Sequence, residues 1–119
     1  MTIARIIDSF PSEQQNQIRS QLSNTLRAVI SQQLLPRIGG GRVSAVEYMV
    51  DTPAIRNMIR EGKDHQIYST MQTAQKEGMQ TMDQALLNLL KQQKITRESV
   101  LEFCVDQKEV IRLMGTMGI

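Results

Sequence analysis

Residues 39–63 read Gly-Gly-Gly-Arg-Val-Ser-Ala-Val-Glu-Tyr-Met-Val-Asp-Thr-Pro-Ala-Ile-Arg-Asn-Met-Ile-Arg-Glu-Gly-Lys. Two structural periods meet in this stretch. The glycines permit positive φ and a tight turn, and the β-branched and aromatic residues up to Val50 favour a strand. From Thr52 the signals change. Thr52 offers a helix cap and Pro53 suits the first helical position. Ile55, Met58 and Ile59 then form an apolar stripe, and Gly62 stops the helix. Hairpin gives way to helix near Asp51-Thr52.

Upstream, Leu34-Leu35-Pro36-Arg37 leads into the glycines, so a hairpin is expected over 31–50. Both arms carry apolar residues on both faces, as strands inside a larger sheet do. The chain shows no other convincing strand to complete such a sheet. Before the hairpin, Ser12 with Gln15 three residues on makes a capping-box pattern. Ile18, Leu22, Leu26, Val29 and Ile30 follow at helical spacing, predicting a helix over about 12–30. Residues 2–10 are mixed and end at Phe10-Pro11.

Downstream the pattern is a run of short helices. Asp64 is expected to cap one that carries Ile67, Met71 and Ala74 and ends near Gly78. Thr81 caps the next, with Met82, Ala85, Leu86, Leu89 and Leu90 on its stripe. Thr96 opens a third, with Val100, Leu101 and Cys104 inward. Asp106, with Glu109 three on, caps a last helix bearing Val110, Ile111, Leu113 and Met114. The expected fold class is mainly α with one β-hairpin.

A length of 119 residues suits about one domain. With 40% apolar and 22% charged residues the chain reads as globular. Only two Tyr and two Phe are present, so eight Met join the aliphatic residues in filling the core. The formal charge is +2, from 14 basic and 12 acidic residues. That near balance gives no reason to expect nucleic acid or an anionic membrane as partner. The first residues hold no signal-peptide run, and no stretch approaches the length of a membrane span. The single cysteine excludes an internal disulfide, and a cytoplasmic setting is expected, with any membrane association indirect.

The chemistry-bearing residues are few. No GxxxxGK[ST] loop occurs, and Gly39-Gly40-Gly41-Arg42 lacks the Lys-Ser/Thr pair that reaches phosphate and magnesium. His65 is the sole histidine and falls in the first turn of an expected helix. Cys104 lies on an inward stripe, as an inert core thiol does, and one His with one Cys is too small a set for a nitrogen–sulfur metal site. The expectation is no catalytic, cofactor or metal residue, and no enzyme from this chain on its own. Arg56, Arg60 and Lys63 project around the stripe of one short helix, with Arg56 and Arg60 on the same face. A solvated face and a basic docking surface both fit. A helix-turn-helix reading of 82–104 suffers from Glu98 and Glu102, which repel phosphate.

Ala54, Ile55, Arg56, Asn57, Met58, Ile59, Arg60, Glu61, Gly62 and Lys63 resemble the AIRNLIREGK motif of the PilT family of type IV pilus retraction, or twitching motility, ATPases. Met58 stands where that family usually has Leu, a swap close in volume. The resemblance continues through residues 2–11, 31–37, 41–47, 65–68 and 78–86 in the family's order. It implies the C-terminal part of a hexameric, RecA-like motor of the secretion ATPase superfamily. Residues 1–50 would be the last helix and strands of the ATPase core, and residues 51–119 the C-terminal helical domain. The family's phosphate loop, Walker B carboxylate and His box would lie upstream. ATP and magnesium would then belong to the complete protein and no cofactor to this segment. The AIRN helix would couple the motor to retraction, with the pilus machinery at the inner membrane as partner. The alternative is a stand-alone helical interaction module without a motor role.

Overall fold

The computed structural model describes residues 2–119. Its elements run α1 (Thr2–Asp8), α2 (Ser12–Thr25), β1 (Ala28–Pro36), β2 (Arg42–Val50), α3 (Pro53–Glu61), α4 (Asp64–Gln72), a 3-10 turn (Gln75–Glu77), α5 (Met82–Lys91), α6 (Arg97–Phe103) and α7 (Gln107–Met117). β1 and β2 pair as a two-stranded sheet. The chain is therefore mainly helical with one antiparallel hairpin, as its sequence predicts.

Helix starts follow local chemistry. Thr52, Thr81, Thr96 and Asp106 each accept a hydrogen bond from the backbone N–H three residues on. Such a bond satisfies one of the amides that a helix N-terminus leaves orphaned. At Thr81 the exchange is reciprocal, because the Gln84 side chain accepts from the Thr81 amide at 2.9 Å. Two expected caps differ. Pro11, not Ser12, precedes α2, and no side chain caps it; Gln15 instead donates to the Phe10 carbonyl at 3.0 Å. Asp64 is already helical, and Lys63 holds the cap position of α4 without a side-chain bond. Asp64 is drawn away by an ion pair described below.

The second helix stops at Thr25 rather than near residue 30, and the hairpin begins at Ala28. Leu26 is already extended, at φ −67° and ψ 133°. The β-branched Val29 and Ile30 fit a pleated strand better than a helical turn, and the paired strand supplies their backbone partners. Residues 2–8, which show no clear pattern in sequence, form α1 and bury Ile3 and Ile7 completely.

The hairpin ladder is closed at both ends. Arg37 N donates to Gly41 O at 3.0 Å, and Asp51 N donates to Arg27 O at 2.9 Å. The equal offset sets Ile30 opposite Tyr48. β1 alternates, with Leu35 buried while Ile30 and Leu34 stand exposed. The turn uses Gly39, Gly40 and Gly41 at φ 92°, 113° and 77°, a region closed to most side chains.

The chain divides into two packed units. One comprises residues up to Ser31 together with Tyr48–Met79. Its core gathers Ile3, Ile7, Met49, Ile55, Ile59, Ile67, Met71 and Met79. The other comprises Gln32–Glu47 with Gln80–Ile119. There Leu35 and Ala45 from the hairpin pack with Leu86, Ile95, Val100, Val110 and Met114 among others. In α7, Ile111, one of the apolar residues of that helix, faces solvent at 51% exposure. Val110 and Met114, four apart, already fill that helix's buried stripe. Asp83 ties the second unit together. Its carboxylate accepts from the amides of Val105 at 2.7 Å and Asp106 at 3.0 Å, just ahead of α7.

Candidate functional site

α3 is the element on which the sequence concentrates its functional candidates. Its nine residues begin at a threonine cap and end at Gly62, which adopts the left-handed conformation at φ 73°. The Gly62 amide reaches the Ile59 carbonyl at 3.3 Å and the Lys63 amide reaches that of Met58 at 2.9 Å, which closes the last turn. Ile55 and Ile59 are fully buried in the first unit's core, and Met58 is half-buried beside them. The Thr70 hydroxyl approaches the Met58 sulfur at 3.6 Å. The expected apolar stripe is thus the anchor of the helix.

The other face is polar and open. Ala54, Asn57, Arg60, Glu61, Gly62 and Lys63 are all exposed. Arg60 donates to Asn57 Oδ1 at 3.4 Å, and Lys63 pairs with Glu61 at 3.2 Å. Arg56 is more constrained than Arg60. Its Nε lies 3.1 Å from Asp51 Oδ1, and Arg27 approaches the other oxygen of Asp51 at 3.7 Å. Asp51 thus stands between two arginines at the point where the hairpin leaves for α3.

Arg19 of α2 reaches the opposite end of α3. Its guanidinium grips Asp64 with both terminal nitrogens, at 2.9 and 3.0 Å, and donates as well to the Ile59 carbonyl at 3.2 Å. Both side chains are mostly buried. The hydrogen bond to Asp64 raises the pKa of Arg19 further, against the opposing effect of burial. Sequence reasoning missed this pair. The available signal was that Arg19 and Glu13 are the only charges in an otherwise neutral α2.

A cavity of about 380 Å³ lies beside the first turn of α3, lined by Thr52, Pro53, Ala54, Thr70, Thr73 and Lys76 among others. Cys104 closes α6, half-buried against the second unit's core, and burial pushes its thiol pKa up. That shift opposes formation of the nucleophilic thiolate. His65 is exposed in the first turn of α4. Among the described residues no group of three or more His, Cys, Asp or Glu is placed to hold a metal ion, and no helix is long and apolar enough to cross a membrane.

No family model matches the chain. Individual relatives do. It is 52% identical over 101 residues to the type IV pilus retractation ATPase PilT of Pseudomonas aeruginosa, covering 85% of this chain and 29% of that protein. It is 50% identical over 99 residues to a twitching motility protein of Neisseria gonorrhoeae, covering 82% of this chain and 26% of that one. Among solved structures, that of the pilus retraction motor PilT with bound ADP superposes with a TM-score of 0.80 at 51% identity, over 93% of this chain and 31% of the motor chain. The chain therefore spans under a third of the length of the relatives it matches. With about half of the matched residues identical and the fold shared over 93% of its length, the chain corresponds to the C-terminal part of a PilT-like ATPase.

Proposed function

We propose that this chain acts as the C-terminal part of a pilus retraction motor, in which α3 passes nucleotide-driven movement to the pilus machinery. The observation that supports it is the division of labour on α3. Ile55 and Ile59 fix the helix in a core, while Asn57, Arg60, Glu61 and Lys63, paired with one another, stay exposed to a partner. In this reading residues 1–50 descend from the end of the ATPase core and residues 51–119 form the helical domain. ATP and magnesium bind elsewhere in the complete hexameric motor, at a phosphate loop that these 119 residues do not contain. The motor is cytoplasmic and meets its partners at the inner membrane.

The test is a retraction ATPase carrying this segment, with Arg56→Ala and Arg60→Ala scored for ATP hydrolysis and twitching. The expected result is hydrolysis retained and motility reduced. Full motility in both variants would reduce the basic face to solvated surface. Titration of the isolated chain with Mg-ATP is expected to give no heat of binding; a micromolar dissociation constant would refute the placement of the nucleotide site elsewhere.

A further inference from the structure

We propose that Arg19 is the positioning residue of the α3 motif: its guanidinium clamps the C-terminal turn of α3 to the first turn of α4 and so fixes the direction in which the exposed face of α3 points. The inference rests on the coupling role of α3 proposed above. Three observations meet at this one side chain. It donates to the Ile59 carbonyl in the last turn of α3, where the helix dipole places negative partial charge. It also holds both oxygens of Asp64 in the first turn of α4, in the planar two-point geometry that only arginine offers. And it passes over the left-handed corner, its Cζ 3.6 Å from the point a Cβ on Gly62 would occupy.

The physical need is clear from the corner itself. Between α3 and α4 lie only Gly62 and Lys63, and the Gly62 amide makes a long bond of 3.3 Å. Glycine leaves the most backbone freedom of any residue, so beyond the Gly62 and Lys63 amide bonds the corner's own chain adds little to the angle between the two helices. Arg19 adds a polar constraint from α2 to the apolar core that Ile55, Ile59, Ile67 and Met71 share, bonding across separations of 40 and 45 residues. The two terminal nitrogens are thus spent on the Ile59 carbonyl and the Asp64 carboxylate, which makes the arrangement a brace.

Arg19→Lys tests this, because lysine keeps the charge but brings a single nitrogen in place of the fork. In the 119-residue chain, amide hydrogen exchange at Gly62 and Lys63 is expected to accelerate at least tenfold in Arg19→Lys, with α5 and α7 unchanged. Asp64→Asn is a second variant that keeps the side-chain shape and is expected to show the same local pattern. In a retraction ATPase carrying this segment, Arg19→Lys is expected to lower twitching with ATP hydrolysis kept. Unchanged exchange at Gly62 and Lys63 overturns the proposal. Faster exchange with motility intact also overturns it. In that second case Arg56→Ala separates the two ideas: lost motility there leaves the coupling role of α3 standing without the brace, and retained motility removes both.

Discussion

The Nε atom of Arg56 sits 3.1 Å from Oδ1 of Asp51, closed off from solvent and without an aligned hydrogen bond. The contact is an ion pair of imperfect geometry, and the arginine side chain as a whole is 42% exposed. Pairs of this kind contribute little, at most about 1 kcal/mol. Arg56→Ala is therefore expected to lower the unfolding free energy by no more than about 1 kcal/mol, measured by urea denaturation. A loss several times larger would show that the side chain is structural, and motility data on this variant would then say nothing about coupling.

Ile59→Ala separates stability from surface chemistry in the opposite direction. The side chain is 1% exposed in the first unit's core. Removing its buried methyl groups is expected to cost about 2–5 kcal/mol, with the larger figure if the surroundings fail to collapse into the space. Thermal unfolding of the two variants side by side checks the contrast, and near-equal melting temperatures would contradict the anchoring role.

Gly62→Ala examines the corner by itself. At φ 73° a Cβ is disfavoured, although the nearest atoms of Arg19 stand at an ordinary 3.6 Å. Backbone strain of about 1–2 kcal/mol is the expected cost, with no added clash. A loss well beyond that would mean the guanidinium cannot tolerate the methyl group.

Glu47 gives the chain a pH signature. Its carboxylate accepts from the Met82 amide at 3.1 Å, yet burial outweighs that bond and raises its pKa above the usual glutamate range. The folded state then holds the proton more tightly than the unfolded state does. Glu47 therefore favours folding most below its unfolded pKa, and that contribution is lost as pH rises from the unfolded value through the folded one. Glu47→Gln is expected to flatten this part of the stability profile, from the ordinary glutamate range upward. Chemical denaturation at several pH values checks it, and a difference that stays constant across the range would contradict the shift.

Much of the local structure was readable without coordinates. Thr52, Thr81, Thr96, Asp106 and Gly62 end or begin helices where the residues say they should. A cap depends on a hydroxyl, a carboxylate or a missing Cβ meeting a backbone group three residues away, and that lies within the reach of sequence. The motif at 54–63 was equally legible, with the burial of Ile55 and Ile59 implied by helical spacing.

What sequence left open was settled by contacts between residues far apart in the chain. Val29 and Ile30 continue the helical spacing of the residues before them although their β-branched side chains favour a strand, and the pairing of β1 with β2 decided between the two. Ile111 matches the apolar pattern of α7, but the buried side of that helix is already taken by Val110 and Met114. Asp64 has the chemistry of a cap and became the partner of an arginine 45 residues earlier. The sequence alone determined where most helices start and which face of α3 is apolar, because those features depend on neighbours within one turn. Only the tertiary structure decided the end of α2, the brace at Arg19 and the partner of Arg56, because each depends on which surfaces the packed chain brings within a few ångströms.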